Sequence, residues 1–278
     1  LIAKIEKFDA VSHIDEIIEV SDGIMVARGD LGIEVPYYDV PTIQKMLIKK
    51  SNAKGIPVIT ATQMLLSMTQ NERATRAEIS DVANAVLDGT DIVMLSEESA
   101  VGENPVNVVE TMHNIIKQTE KIFDHEKRYK FTYLDEFDVI QATVTKLADD
   151  LSADGILSLT SSGNSARKMS RYRPITPLYT FAHDKETLTG LTALWGVEPI
   201  TTVKEAQASK MIQRMLRSLE KREILNKKGL YICTVGYPVG IPGSTNTIKI
   251  LTPSEIEFYL NFKENREKIK TEKKVNLA

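Results

Sequence analysis

Lys4, Glu6, Arg28, Gly29, Asp30 and Thr62 are the residues whose types could hold a metal ion and a phosphoryl group. Each lies at or near the end of a short apolar run. Leu1-Ile2-Ala3 leads into Lys4 and Glu6, Ile24-Met25-Val26-Ala27 into Arg28-Gly29-Asp30-Leu31-Gly32, and Pro57-Val58-Ile59-Thr60-Ala61 into Thr62. Glu6 and Asp30 can supply two hard oxygen ligands, which suits Mg2+ completed by substrate oxygens and water. Lys4 offers a cation to a phosphoryl group in transfer. Thr62 offers a hydroxyl, and Gly29 an accessible backbone amide. The same residues also admit a structural reading: Lys4 and Glu6, two apart on one side of a pleat, as a salt-bridged edge strand, and the glycines as a surface turn.

Periodicity supplies the elements that must position these groups. Strand patterns at 1–6, 24–28, 57–61 and 91–95 alternate with helical patterns at 10–20, 41–53, 75–88 and 104–123. Pro41 and the Asn104-Pro105 pair mark helix starts, Gly55 and Gly89 mark stops, and Thr75-Arg76-Ala77-Glu78 has capping-box spacing. Four successive strand–helix units with short connections imply a parallel sheet with right-handed crossovers. The polar residues cluster at the strands' carboxyl ends, including Ser96-Glu97-Glu98-Ser99, where α/β barrels and open sheets place their chemistry. Four units are half of an eight-fold barrel.

Residues 124–136 read as a linker. A separate α/β domain follows over 137–254, with five strands at 155–159, 177–181, 198–203, 230–235 and 246–251 and helices at 139–151, 165–172, 185–195 and 205–225. A basic helical tail occupies 255–278. In this domain Thr160-Ser161-Ser162-Gly163-Asn164-Ser165 joins a strand to a helix, and its hydroxyls and amides could cradle an anion or merely cap the helix.

A chain of 278 residues with 42% hydrophobic and 26% charged residues has the composition of a soluble globular protein, and its net charge of −3 selects no class of partner. Its apolar runs fall far short of the roughly 20 residues of a membrane span. One cysteine, Cys233, excludes an internal disulfide and fits a reducing compartment. The four histidines lack metal-ligand spacing. Lys210, Arg214, Arg217 and Lys221 form a basic helix face, but without interleaved aromatics they read as solvated, not as a nucleic-acid site. The start within an apolar strand reads as that of a fragment.

Lys4-Ile5-Glu6, Met25 to Gly32, Pro57 to Met64, Thr75 to Gly89 and Met94-Leu95-Ser96 together resemble the pyruvate kinase family. That resemblance implies the second half of a TIM (β/α)8 barrel over 1–123, followed by the family's five-stranded α/β C-terminal domain. It implies Mg2+-dependent phosphoryl transfer from phosphoenolpyruvate to ADP, giving pyruvate and ATP, the last step of glycolysis. Lys4 then resembles the lysine that stabilises the moving phosphoryl group, and Glu6 and Asp30 the Mg2+ (or Mn2+) ligands. Gly29 and Thr62 resemble the residues that hold substrate, while Arg28 either faces the phosphates or braces the loop. A K+ site is implied in an N-terminal part not among these residues, and a cytoplasmic homotetramer is implied. The loop 160–165 and Gly243, Ser244 and Thr245 match the family's effector-phosphate site, for a sugar phosphate or AMP. Two positions depart from the family pattern: Glu97 stands where a glycine is usual, and Glu72-Arg73-Ala74 precedes Thr75-Arg76 in place of Pro-Arg-Pro. Two other functions stay open at this level: an effector-binding and oligomerisation module without its own catalysis, and another Mg2+-dependent barrel enzyme acting on phosphoenolpyruvate or pyruvate. Half a barrel has two open sheet edges, so these residues alone are expected not to turn over.

Overall fold

Short β-branched and aliphatic runs, each cut off by a polar residue, form the strands of the first unit. In the computed structural model, which describes residues 1–125, 132–133, 135–205, 207–236 and 245–261, these are β1 (Ile2–Ile5), β2 (Gly23–Ala27), β3 (Val58–Ala61) and β4 (Ile92–Met94). They pair in that order and all in parallel. Register aligns Lys4, Met25, Ile59 and Ile92 in one row, and Ile5, Val26, Thr60 and Val93 in the next. Because side chains alternate faces, the two rows look in opposite directions. Ile5, Ile24, Val26 and Val58 form a core with Ile14, Ile18, Leu47 and Ile48 of the covering helices. The row headed by Lys4 is more open, its Met25, Ile59 and Ile92 only half-buried. Among the described residues the outer edges of β1 and β4 have no strand partner.

The expected helix signals operate. Helix α4 (Val40–Lys54) has a proline in its first turn and ends at left-handed Gly55 (φ 75°). Helix α5 (Arg76–Asp88) begins with the reciprocal Thr75–Glu78 capping box and ends at left-handed Gly89 (φ 95°). Helix α7 (Pro105–Thr119) is capped by Asn104, whose side chain accepts from Asn107 N at 3.2 Å.

Three expectations are corrected. The helix expected at 10–20 is two short pieces, α1 (Phe8–Ser12) and α2 (Ile14–Val20), broken at His13. Ser12 Oγ donates to Phe8 O and the His13 ring pairs with Asp9 O, so side chains compete for the carbonyls at the break. Residues 28–34, expected as strand end and turn, form helix α3 (Arg28–Glu34). Its glycines hid the pattern, but fully buried Leu31 anchors it, and Pro36 limits its extension. The segment after β4 likewise makes one helical turn, α6 (Glu97–Ala100).

The second unit is built on five strands, β5 (Gly155–Thr160), β6 (Leu178–Ala182), β7 (Val197–Thr202), β8 (Tyr231–Gly236) and β9 (Thr245–Leu251), in the order β7-β6-β5-β8-β9. All pairs are parallel except β8–β9, an antiparallel edge. Helix α8 (Glu136–Asp150) starts inside the stretch read as linker, capped by Asp135, which accepts from Asp138 N. With α9 (Asn164–Ser170) it covers one face through Val144, Ala148 and Met169. After the short α10 (Lys185–Gly190), helix α11 (Ala208–Lys221) covers the other face with Met211, Ile212, Met215, Leu216 and Leu219. Helix α12 (Pro253–Leu260) begins ahead of the expected tail; residues beyond 261 lie outside those described. Contact density divides the described chain after Thr132, with Ala193–Trp195 grouped with the first unit.

Candidate active site at the strand ends

The carboxyl ends of β1, β2 and β3 bring the expected residues together. Lys4, on β1, places its Nζ 2.5 Å from Glu6 Oε2 and 2.8 Å from Asp30 Oδ2. One cation is thus shared between two carboxylates from neighbouring strand ends. Asp30, with Glu6 behind it, holds the Lys4 ammonium well above the ordinary lysine range, and Lys4 in turn holds Asp30 below the usual carboxylate range. The salt-bridge reading and the site reading therefore both describe this trio. The three side chains remain substantially open to solvent, at 51%, 37% and 52%.

The donor set also tests whether a divalent cation fits. Two carboxylates near enough to share an ammonium can share a metal ion, and among the described residues no third His, Cys, Asp or Glu joins them. Such a pair leaves most of the coordination sphere to water and substrate oxygens, as Mg2+ at phosphate sites requires.

Thr62 follows β3 in the left-handed region (φ 70°), and Gln63 does the same (φ 53°). For a β-branched residue this is a strained backbone, costing on the order of 1–3 kcal/mol. The hydroxyl of Thr62 donates to Ala61 O at 2.6 Å and accepts from Gly29 N at 2.9 Å. The Gly29 amide, expected to be accessible, is therefore engaged by Thr62, because α3 turns it toward β3. Arg28 braces the loop: Nε and Nη2 donate to Thr62 O at 3.2 and 2.7 Å, and Nη2 also to Gln63 O at 3.2 Å. Its Nη1 pairs with Asp81 of α5 at 2.6 Å.

On the opposite side Glu98, 1% exposed, accepts from Leu65 N at 3.1 Å and Ser96 N at 2.7 Å. The loop after β3 is gripped by a cation on its carbonyls and an anion on an amide. Sequence reasoning gave no role to Glu98, Asp81 or Gln44. A signal existed for Asp81: Ala77, Ser80, Asp81, Asn84 and Asp88 recur at helical spacing opposite the apolar Val82, Ala85 and Val86. Glu97 is exposed and lies in a helical turn, so the position accepts a side chain without a left-handed backbone.

In the second unit, Thr160 ends β5 and Gly163 (φ 84°) precedes α9, its N–H donating to Thr160 Oγ1 at 2.9 Å. That amide serves the loop itself. Ser162 and Asn164 are exposed, Ser161 is half-buried, and Ser165 is buried. Gly243 and Ser244 lie outside the described residues, and Thr245 opens β9. Arg171, at the C-terminal end of α9, makes a buried pair with Asp138 of α8 that was missed in the sequence, Nη1 to Oδ2 at 2.5 Å, with side chains 1% and 0% exposed.

The family model for the pyruvate kinase barrel domain matches residues 1–109, and that for the pyruvate kinase alpha/beta domain matches 138–251. A pyruvate kinase of Lactobacillus delbrueckii subsp. bulgaricus is 44% identical over 253 residues, covering 89% of this chain and 43% of the relative. One from Clostridium acetobutylicum is 43% identical over 254 residues, covering 90% and 54%. Among solved structures, a crystal structure of a pyruvate kinase from Cryptosporidium parvum aligns with a TM-score of 0.83 at 36% identity, covering 90% of this chain and 51% of that one. The chain spans about half the length of the curated relatives it matches. With both domain models matched in order, on a parallel half-barrel and a five-stranded α/β unit, the chain belongs to the pyruvate kinase family.

Proposed function

We propose that these residues form the lysine- and metal-bearing side of a phosphoryl-transfer site, acting on phosphoenolpyruvate and ADP to give pyruvate and ATP. The observation that carries the reading is the Lys4 ammonium held between Glu6 and Asp30, at the same strand ends as the Thr62–Gly29 pair. When bound at Glu6 and Asp30, Mg2+ would neutralise charge on the transferring phosphoryl group and on substrate oxygens. Lys4, at the same strand ends, would donate to the phosphoryl oxygens as charge develops. Gly29 and Thr62, paired with one another here, hold substrate at these strand ends, and Thr62 positions the water that delivers the proton to carbon. Arg28 stays behind as the brace of the loop.

In the second unit the Thr160–Ser165 loop is proposed as an effector-phosphate site, and Gly243, Ser244 and Thr245 are proposed as effector-binding residues with it. K+, a homotetrameric assembly and a cytoplasmic setting belong to the same proposal; among the described residues no helix is long and apolar enough to cross a membrane. The division into barrel half (1–123), linker (124–136), regulatory domain (137–254) and tail (255–278) is also part of it. With the outer edges of β1 and β4 unpaired among the described residues, the 278 residues alone are expected to form no pyruvate.

A coupled pyruvate assay on the complete protein containing these residues tests the activity. ADP-dependent pyruvate formation that disappears in Lys4→Met supports it; pyruvate formed equally without ADP favours a lyase and overturns it.

A further inference from the structure

Two consecutive non-glycine residues in the left-handed region do not hold themselves there. Arg28 supplies the restraint on Thr62 and Gln63, by a two-pronged grip on Thr62 O, a bond to Gln63 O and a contact with Met64 Sδ at 2.9 Å. A guanidinium is planar, so both prongs reach one carbonyl only if the plane is fixed from its far end. That far end is Nη1. It meets Asp81 Oδ2 at 2.6 Å and, more weakly, Gln44 Oε1 at 3.4 Å. Gln44 is itself held, donating to Asp88 Oδ2 at 3.2 Å, and Asp88 also pairs with Lys45. Among the described residues Asp81 has Arg28 as its hydrogen-bond and ion-pair partner.

We propose that Asp81 is a positioning residue for the site: from helix α5 it orients Arg28, and Arg28 holds the left-handed turn that aims the Thr62 hydroxyl at the Gly29 amide. The inference rests on reading Thr62 as a site residue. It deepens that reading by placing a determinant of Thr62 geometry on the helix layer, behind the strand ends.

The surroundings say what removing the carboxylate would do. Arg28, Gln44, Ser80, Asp81 and Asn84 line a cleft of about 340 Å3 between α4 and α5. Water can therefore solvate the guanidinium of an Asp81→Asn protein, which leaves no dry unpaired charge. The fold survives while the plane of Arg28 is no longer fixed. Asp88 pairs with Lys45 and reaches Arg28 through the weaker 3.4 Å Gln44 contact, so it provides a control of equal charge change without the direct carboxylate–guanidinium pair.

The test is NMR of the 278-residue chain, comparing wild type with Asp81→Asn, Asp81→Glu and Asp88→Asn. Two readouts are followed: the Cα and Cβ shifts of Thr62, which register its left-handed backbone, and the exchange rate of the Gly29 amide. Asp81→Asn should move the Thr62 shifts toward extended values and speed Gly29 exchange about tenfold. Asp81→Glu should restore both, and Asp88→Asn should leave both near wild type. Unchanged Thr62 shifts in Asp81→Asn would overturn the proposal. So would an equal response to Asp88→Asn, or a loss that Asp81→Glu does not rescue, because each makes the effect a general one of packing. None of these readouts involves phosphoryl transfer, so the inference can fail while the proposed activity stands, and the reverse.

Discussion

Replacing Glu98 by alanine should destabilise the first unit selectively. The side chain is 1% exposed, and its two oxygens accept from Leu65 N and Ser96 N. Bonds to a charged acceptor contribute about 1.5–3 kcal/mol each, and removal leaves two amides without their acceptor. Relaxation recovers part of the loss, giving about 3–5 kcal/mol, a large share of the ~5–15 kcal/mol that holds a domain. Glu98→Gln keeps one carbonyl acceptor but turns an NH2 group toward the other amide, for about 1–3 kcal/mol. With a urea slope of about 1–3 kcal/mol/M, the alanine variant should lower the midpoint by roughly 1–5 M. Hydrogen exchange in urea, read on peptides covering 58–69 and 92–100 and on peptides of β5 and β8, separates the two units. A shift below about 0.5 M in the first set, or an equal shift in both, would refute the claim that Glu98 ties the loop to β4.

Lys4→Met should abolish the proposed phosphoryl transfer in the complete protein yet tighten substrate-free binding of Mn2+ by the chain, since the ammonium now occupying the carboxylates is gone; calorimetric titration showing weaker binding would contradict this. In the second unit, Asp138→Asn should cost about 3–5 kcal/mol because it removes the carboxylate from a buried ion pair, whereas replacing Asp138 and Arg171 together by apolar residues of similar size should cost far less. Burial pushes the Cys233 thiol up to about 12. Native chain at pH 8 should therefore react with a thiol reagent only as fast as the second unit opens. That unit should lose stability as pH rises from 9.0 toward about 12, the interval in which the unfolded thiol ionises and the folded one does not; thermal melts across that range check the sign.

How much of this was visible beforehand divides along physical lines. The four parallel strands, the Thr75–Glu78 box and the Gly55 and Gly89 stops were legible because each is a local signal with one structural meaning. The meeting of Lys4, Glu6 and Asp30 was legible because parallel strands send their carboxyl ends to one side. The bracing contacts of Arg28 were not, since a strand-end arginine can turn either toward ligand or toward backbone; here it makes three bonds to carbonyls and pairs with Asp81. Helix α3 was missed because two glycines within seven residues depress helix propensity, and the burial of Leu31 outweighs them. The buried Arg171 and Arg173 gave no warning, as arginine is ordinarily a surface residue and only its tertiary partners permit burial.

The shared cation position of Glu6 and Asp30 is the centre of the account, and Mn2+ binding to this chain measures it directly. Water-proton relaxation should report a Mn2+ site that phosphoenolpyruvate strengthens, and both Glu6→Gln and Asp30→Asn should lose it while keeping the wild-type fold by circular dichroism. Mn2+ binding that survives both substitutions unchanged, or that ignores phosphoenolpyruvate, would contradict the assignment of these strand ends as the metal side of a phosphoryl-transfer site.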